Sequence, residues 1–235
     1  MTTLHKSNDD MLLQDRPTSL DAKAKLEASM HMEKIGKYES ATRYVDEALI
    51  IKPDYLEAWL FKGVIVGKLG ECTEALKCYD RAIELNPNCS EAWLVKGAVL
   101  CSLNRHAEAI RCYEKVLDLT PGSVEASSYM GYSLERLQKF DEAIQCYERV
   151  LKQKPDEAKV WYTIAILHGK KGDYENAITN FERALEIKED FNEAIAGKSI
   201  MLIKLGRKDE ANQFLEHFSQ KSLCEKQGCV INAQV

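Results

Sequence analysis

Small and apolar residues follow a helical spacing along most of the chain. In one stretch, Trp59, Gly63 and Val66 share one face of a predicted helix, and Ala75 and Tyr79 share one face of the next. Glu and Lys alternate along the second of these helices, as in EALKCYDRAIE from Glu74 to Glu84, and indicate a solvated face. The pattern therefore predicts two consecutive amphipathic helices.

This two-helix pattern returns every 34 residues without an insertion or deletion. The positions that keep the interval are Ala41, Ala75, Ala109, Ala143, Ala177 and Ala211; Pro53, Pro87, Pro121 and Pro155; Gly63, Gly97 and Gly131; Tyr79, Tyr113, Tyr147 and Phe181; and Trp59, Trp93 and Trp161. A fixed period of this size is typical of a helical solenoid, in which each unit buries its apolar face against its neighbours. The sequence therefore predicts an all-α repeat protein whose function lies in its surfaces.

Glycine and proline mark where the predicted helices end. The residues after the first helix of a unit are Gly36, Gly70, Asn104, Gly172 and Gly206, and all of them tolerate the positive φ that ends a helix at little cost. The repeating prolines follow the second helix, where the missing N–H prevents it from continuing. Each unit is therefore a helix, a tight turn, a second helix and a stop.

The residues that keep this interval resemble the tetratricopeptide repeat, a family built from pairs of antiparallel helices. The resemblance covers residues 22–223, and the six units begin at Ala22, Leu56, Ser90, Val124, Ala158 and Asn192. It implies a right-handed superhelical solenoid of about six helix-turn-helix units. Units one and six have Lys25 and Ile195 where the family has Trp, as expected of capping units. Residues 1–21 and 224–235 are predicted to be a flexible extension and a tail.

Composition argues against several classes of protein. The chain has 235 residues, of which 45% are apolar and 29% charged, and a net charge of −5. Binding to duplex nucleic acid needs a basic patch, which this balance does not favour. No apolar run approaches the roughly 18 residues of a membrane span, and the N-terminus lacks the pattern of a signal peptide. We therefore expect a cytoplasmic protein that binds neither nucleic acid nor membrane.

The cysteines and histidines do not form a catalytic or metal-binding motif. Cys78, Cys112 and Cys146 occupy one position in consecutive units, so at least one helix-packing step of roughly 8–10 Å should separate them. A disulfide needs Cα atoms within about 7 Å. The five histidines occupy unrelated positions, and none belongs to a known catalytic pattern. The sequence predicts no enzyme activity, no cofactor and no metal.

The resemblance places the binding surface on the first helix of each unit, which lines a concave groove in the family. The corresponding residues are Leu60, Phe61 and Val64; Leu94, Val95 and Ala98; Ser128, Tyr129 and Tyr132; and Tyr162, Thr163 and Ile166. A row of cations, Lys34, Lys68, Arg136, Lys170 and Lys204, follows one edge and is interrupted by Ser102. An apolar, aromatic surface beside cations favours a peptide or helix whose apolar anchors are flanked by acidic residues. Superhelical curvature or a terminal segment folded inward would instead cover the surface.

Two specialised roles known in the family do not fit these positions. Co-chaperone members hold a carboxylate with Lys and Asn at places that here contain Leu26, Met30, Phe61, Glu91 and Val95. Sugar-transferase members have an Asn ladder at places that here contain Glu27, Phe61, Val95, Tyr129, Thr163 and Gly197. The prediction is a non-catalytic scaffold or adaptor. Two alternatives stay open: a protein that assembles with itself through unit six, and a regulatory subunit of an enzyme complex.

Overall fold

The computed structural model describes residues 18–226, which form twelve α-helices and no β-strand. The helices are α1 (Ser19–Lys34), α2 (Tyr38–Ile51), α3 (Leu56–Lys68), α4 (Cys72–Leu85), α5 (Ser90–Ser102), α6 (His106–Leu119), α7 (Val124–Arg136), α8 (Phe140–Gln153), α9 (Ala158–Lys171), α10 (Tyr174–Ile187), α11 (Asn192–Lys204) and α12 (Lys208–Lys226). Helices α1 and α2 form repeat one, and each following pair of helices forms the next repeat, up to α11 and α12 in repeat six. The prediction of an all-α helical repeat solenoid is confirmed.

Two compact units divide the chain between Gly122 and Ser123. The N-terminal unit contains α1 to α6, and the C-terminal unit contains α7 to α12. Within each unit, every first helix packs against the second helix of its own repeat and, where a repeat precedes it in that unit, against the second helix of that repeat. Each unit is therefore a stack of three helical hairpins, as expected of a fold stabilised by neighbouring repeats.

The first helix begins, and the last helix ends, at positions that depart from the 34-residue interval of the inner repeats. α1 begins at Ser19, because Thr18 and Asp21 form a capping box: Thr18 N–H donates to Asp21 Oδ2 at 2.6 Å, and Asp21 N–H donates to Thr18 Oγ1 at 3.4 Å. α12 continues to Lys226, and Leu223 stands where four earlier repeats have proline. The apolar trio Met11, Leu12 and Leu13 and the residues after 226 lie outside the described residues.

The turns within the repeats confirm the predicted positive φ. Gly36, Gly70, Gly172 and Gly206 have φ between 75° and 84°, and Asn104 has φ 58°. The positive φ in the turn of repeat four was not predicted, because Gln138 occupies the place of the glycines, with φ 60°. The amide of the following residue, Lys139, still donates to Leu134 O at 2.9 Å, which closes the helix end as the glycines do elsewhere.

A close approach between a glycine and an aromatic ring explains two of the repeating positions. A Cβ on Gly63 would lie 2.4 Å from Tyr79 Cε1, and a Cβ on Gly97 would lie 2.5 Å from Tyr113 Cε1. The alanine that opens each second-helix core, such as Ala109, is fully buried in all six repeats. The prediction that these positions are small because the helices approach closely is confirmed.

The tryptophan and proline of a repeat share the interval because they are joined by a hydrogen bond. The indole Nε1–H of Trp59 donates to Pro53 O at 2.9 Å. Trp93 and Trp161 donate to Pro87 O and Pro155 O at 2.9 and 2.8 Å. In repeat four the same position is Ser127, whose hydroxyl donates to Ser123 O at 2.9 Å instead. The bond fixes the start of the first helix against the preceding loop.

The in-register cysteines are part of the core. Cys78, Cys112 and Cys146 are buried, and the six cysteines whose side chains the structure describes form no disulfide with one another. Burial raises the pKa of the Cys78 thiol to about 11 and also raises the pKa of Cys112 and Cys146. These side chains therefore pack as small apolar groups and carry little thiolate near neutral pH.

Candidate functional site

The predicted groove residues of the N-terminal unit are largely used for packing. Phe61 packs against the core of repeats one and two, while Leu60 and Val95 pack against the cluster that contains Tyr79. Leu94 is partly buried, and Val64 is 36% exposed. Much of this surface is therefore occupied by contacts within and between repeats.

The C-terminal unit exposes more apolar surface on its first helices. Tyr129 and Tyr132, one helical turn apart on α7, are each 46% exposed. On α11, Ile200 is 50% exposed and Ile203 is 46% exposed. The two isoleucines were not among the predicted residues, although Ile200 occupies in repeat six the position of Tyr132 in repeat four. Extending the interval to the terminal repeat would have identified it.

Two other predicted residues of this unit are partly buried. The Tyr162 ring lies 5.7 Å from the Phe181 ring and 5.1 Å from the Phe191 ring, measured between centroids. Tyr162 and Ile166 both pack against the buried cluster of repeats five and six. Tyr162 is therefore fixed among aromatic rings, while Ile166 also reaches a surface cleft.

The predicted row of cations is partly neutralised by contacts between neighbouring repeats. Lys68 pairs with Glu33, and Lys170 Nζ lies 2.7 Å from Glu135 Oε1. Lys204 Nζ lies 5.4 Å from the centroid of the Tyr174 ring, at cation–π distance. Within the part of the chain that the structure describes, no carboxylate oxygen lies within 4.0 Å of Lys204 Nζ. Lys34 and Arg136 are exposed.

A cleft of about 510 Å³ lies in the C-terminal unit, where α9 and the start of α10 face α11. Its lining consists of Ile166, Gly169, Lys170, Lys171, Gly172, Tyr174, Met201 and Lys204. Three of these side chains are lysines, and none is acidic. Of the predicted site residues, the structure brings Ile166, Lys170 and Lys204 together here. Met201, Tyr174 and Lys171 were missed, because they lie outside the groove positions that the family resemblance supplied.

The described residues hold no group of His, Cys, Asp or Glu side chains arranged to bind a metal ion. Within the same residues, no helix is both long and apolar enough to cross a membrane. The faces of α7, α9 and α11 present exposed aromatic and aliphatic side chains beside lysines, and these can contact a partner. Such surfaces contribute to binding through apolar burial and charge complementarity.

Comparison with known proteins supports the repeat identity. Two family models, each described as tetratricopeptide repeat, match residues 67–124 and 122–190 and together span more than half of the chain. The structure is similar to MamA residues 41 to the end from Desulfovibrio magneticus RS-1, with 22% identity and a TM-score of 0.68, over 75% of this chain and 98% of that one. Comparison with curated protein sequences gave no match.

Two further solved structures have the same fold. One is YrrB, described as a TPR protein with an unusual peptide-binding site, with 19% identity and a TM-score of 0.68, over 81% of this chain and 96% of that one. The other is a tetratricopeptide repeat protein from Parabacteroides merdae ATCC 43184, with 19% identity and a TM-score of 0.70, over 85% of this chain and 79% of that one. At these identities the likeness concerns the fold.

Proposed function

The chain belongs to the tetratricopeptide repeat family, whose repeats make protein-interaction scaffolds, and on that premise we propose that it binds a peptide or helix on the first-helix faces. The C-terminal unit supplies the main contacts. The observation that carries this proposal is the exposure of Tyr129, Tyr132, Ile200 and Ile203 on α7 and α11. The scaffold acts without catalysis of its own.

Charge supports a partner whose apolar anchors are flanked by acidic residues. Lys204 lines the cleft together with Ile166 and has no acidic partner among the described residues, so an aliphatic side chain and a neighbouring carboxylate find complementary groups there. The exposed tyrosines add rigid aromatic area, which is favoured at binding hot spots. YrrB, described as having an unusual peptide-binding site, is an example of a peptide-binding protein with this fold.

The test is affinity purification with mass spectrometry, in which the wild type is compared with the double variant Tyr129→Ala/Tyr132→Ala. We expect the double variant to lose specific partners while its far-ultraviolet circular dichroism stays helical, because both side chains are half exposed. Lys77→Ala with Glu148→Ala provides the control, since exposed charges on second helices contribute little. Loss of the same partners in the control, but not in the tyrosine variant, would assign binding to the other face.

A further inference from the structure

The cleft between α9 and α11 is lined by apolar residues and by three lysines, with no acidic residue in its lining. Ile166 and Met201 provide apolar surface, and Gly169 carries no side chain that would fill the space between them. A Cβ at Gly169 would lie 3.0 Å from Met201 Sδ, so a larger residue there would press on the Met201 side chain. The volume of about 510 Å³ is within the range of ordinary ligand sites.

The three lysines of the cleft differ in their partners. Lys170 pairs with Glu135 and Lys171 pairs with Asp141, so their charges are compensated within the unit. Lys204 lies over the Tyr174 ring, and no carboxylate of the described residues contacts its Nζ. A carboxylate entering beside Ile166 and Met201 would therefore meet one cation that lacks an acidic partner among those residues.

The chain itself contains a segment with the complementary chemistry. Met11, Leu12 and Leu13 are consecutive apolar residues, with Asp9 and Asp10 before them and Asp15 shortly after. This arrangement of aliphatic anchors between carboxylates matches the cleft in both apolar character and sign of charge. The segment precedes the described residues and joins α1 through Thr18, whose side chain caps that helix.

We propose that residues 9–15 of one copy of this chain dock in the α9–α11 cleft of a second copy. The segment is attached to the N-terminal unit, whereas the cleft belongs to repeats five and six of the C-terminal unit. A second copy can supply the segment without requiring any contact between the two units of one chain. This inference rests on the proposed function, because it names an occupant for part of the same face.

The contact is heterologous, since a segment on one copy meets a cleft elsewhere on the other. Such contacts either close into rings or add copies head to tail, so assembly grows with protein concentration. The segment also competes with any external acidic peptide for the cleft. Self-association and partner binding therefore oppose each other.

Sedimentation of the full-length chain over a range of concentrations tests the assembly. We expect the average mass of the wild type to rise with concentration, while Leu12→Asp and Lys204→Glu each remain monomeric. An equimolar mixture of these two variants should associate again, because one supplies an intact cleft and the other an intact segment. A wild type that stays monomeric, or a mixture that does not associate, would overturn the proposal.

A synthetic peptide of residues 6–17 locates the contact. Fluorescence anisotropy should show saturable binding to the full-length Leu12→Asp variant, whose own segment is disabled. Changing Lys204 to Gln in that variant should weaken binding about tenfold, as expected for loss of a charge-assisted contact. The exposed Lys152→Gln change in the same unit is the matched control. Equal binding by the Lys204→Gln and Lys152→Gln proteins would exclude the cleft.

One further variant separates this contact from stacking through the last helix. Leu215 is an exposed apolar residue of α12, and Leu215→Asp should leave self-association unchanged. Association that depends on Leu215 and not on Lys204 would mean that copies stack through repeat six, against the proposal. The tyrosine-pair experiment is independent: if it succeeds and the peptide does not bind, only the self-docking inference fails.

Discussion

The N-terminal and C-terminal units each have a core built on the same repeating residues, and they differ in the faces that their first helices present. Both bury the same repeating alanines, such as Ala75 and Ala177, in their second helices. On the first helices of the N-terminal unit, Leu60 and Val95 pack against the buried cluster that contains Tyr79. In the C-terminal unit, Tyr129 and Tyr132 are half exposed. The comparison shows that the 34-residue interval dictates the core and leaves the face free to vary.

The cores themselves also differ in one respect. In repeats two and three, the core tyrosine packs against a glycine of its own repeat, as Tyr113 does against Gly97. In repeat five, Phe181 packs against Gly197 of the following repeat: a Cβ there would lie 2.5 Å from the ring. The position that holds glycine in repeats two to four is Ala165 in repeat five. In repeat five, the close contact between glycine and ring therefore joins two repeats and not two helices of one repeat.

The largest expected effect tests whether the two cores are equivalent. Ala109→Trp in the N-terminal unit and Ala143→Trp in the C-terminal unit both place a large ring at a fully buried position. Each should lower the free energy of unfolding by on the order of 1 to 3 kcal/mol through overpacking. Thermal and denaturant melts followed by circular dichroism provide the measurement.

Glu114→Trp is the control for this pair, because Glu114 is exposed on the same helix as Ala109. Its effect should stay below about 1 kcal/mol, which is the range of surface and helix-propensity changes. If either buried tryptophan is tolerated as well as the exposed one, the core of that unit is not tightly packed.

A smaller effect is expected on the faces, in calorimetry with a partner identified by affinity purification. Tyr129→Ala/Tyr132→Ala should weaken binding by about 2 kcal/mol, as expected for aromatic anchors. Met30→Ala/Val64→Ala makes the corresponding change in the N-terminal unit, where the two side chains are 38% and 36% exposed. Because these side chains are smaller and less exposed, binding should change by less than about 1 kcal/mol. The reverse order would place the partner on the N-terminal unit.

The sequence predicted the core better than the face, for a physical reason. The spacing of Gly97, Ala109 and Tyr113 reflects contacts within one repeat, and each repeat supplies another copy of the same signal. Exposure of Tyr129, by contrast, depends on its neighbours in adjacent repeats, and a periodic pattern does not encode those. The involvement of Tyr162 in an aromatic cluster with Phe181 and Phe191 could not be predicted from its position in the interval.

The smallest expected effect concerns the turns. Repeats one and two of the N-terminal unit end their first helix with glycine, whereas repeat four of the C-terminal unit uses Gln138 at φ 60°. At positive φ, a residue with a Cβ lowers the free energy of unfolding by about 1 to 2 kcal/mol relative to glycine. Part of this advantage of glycine is lost, because glycine has more conformational freedom in the unfolded chain. Gln138→Gly should therefore raise the free energy of unfolding by about 1 kcal/mol.

Denaturant melts check this expectation against Gln145→Gly, which makes the same substitution at an exposed site inside α8. There, glycine should lower the free energy of unfolding by about 1 kcal/mol, because it weakens the helix interior. Opposite signs for the two variants would show that backbone conformation at Gln138, and not the loss of a side chain, sets the difference. If both variants are destabilised, Gln138 contributes contacts that outweigh its unfavourable φ, and the turn of repeat four is not equivalent to those that use glycine.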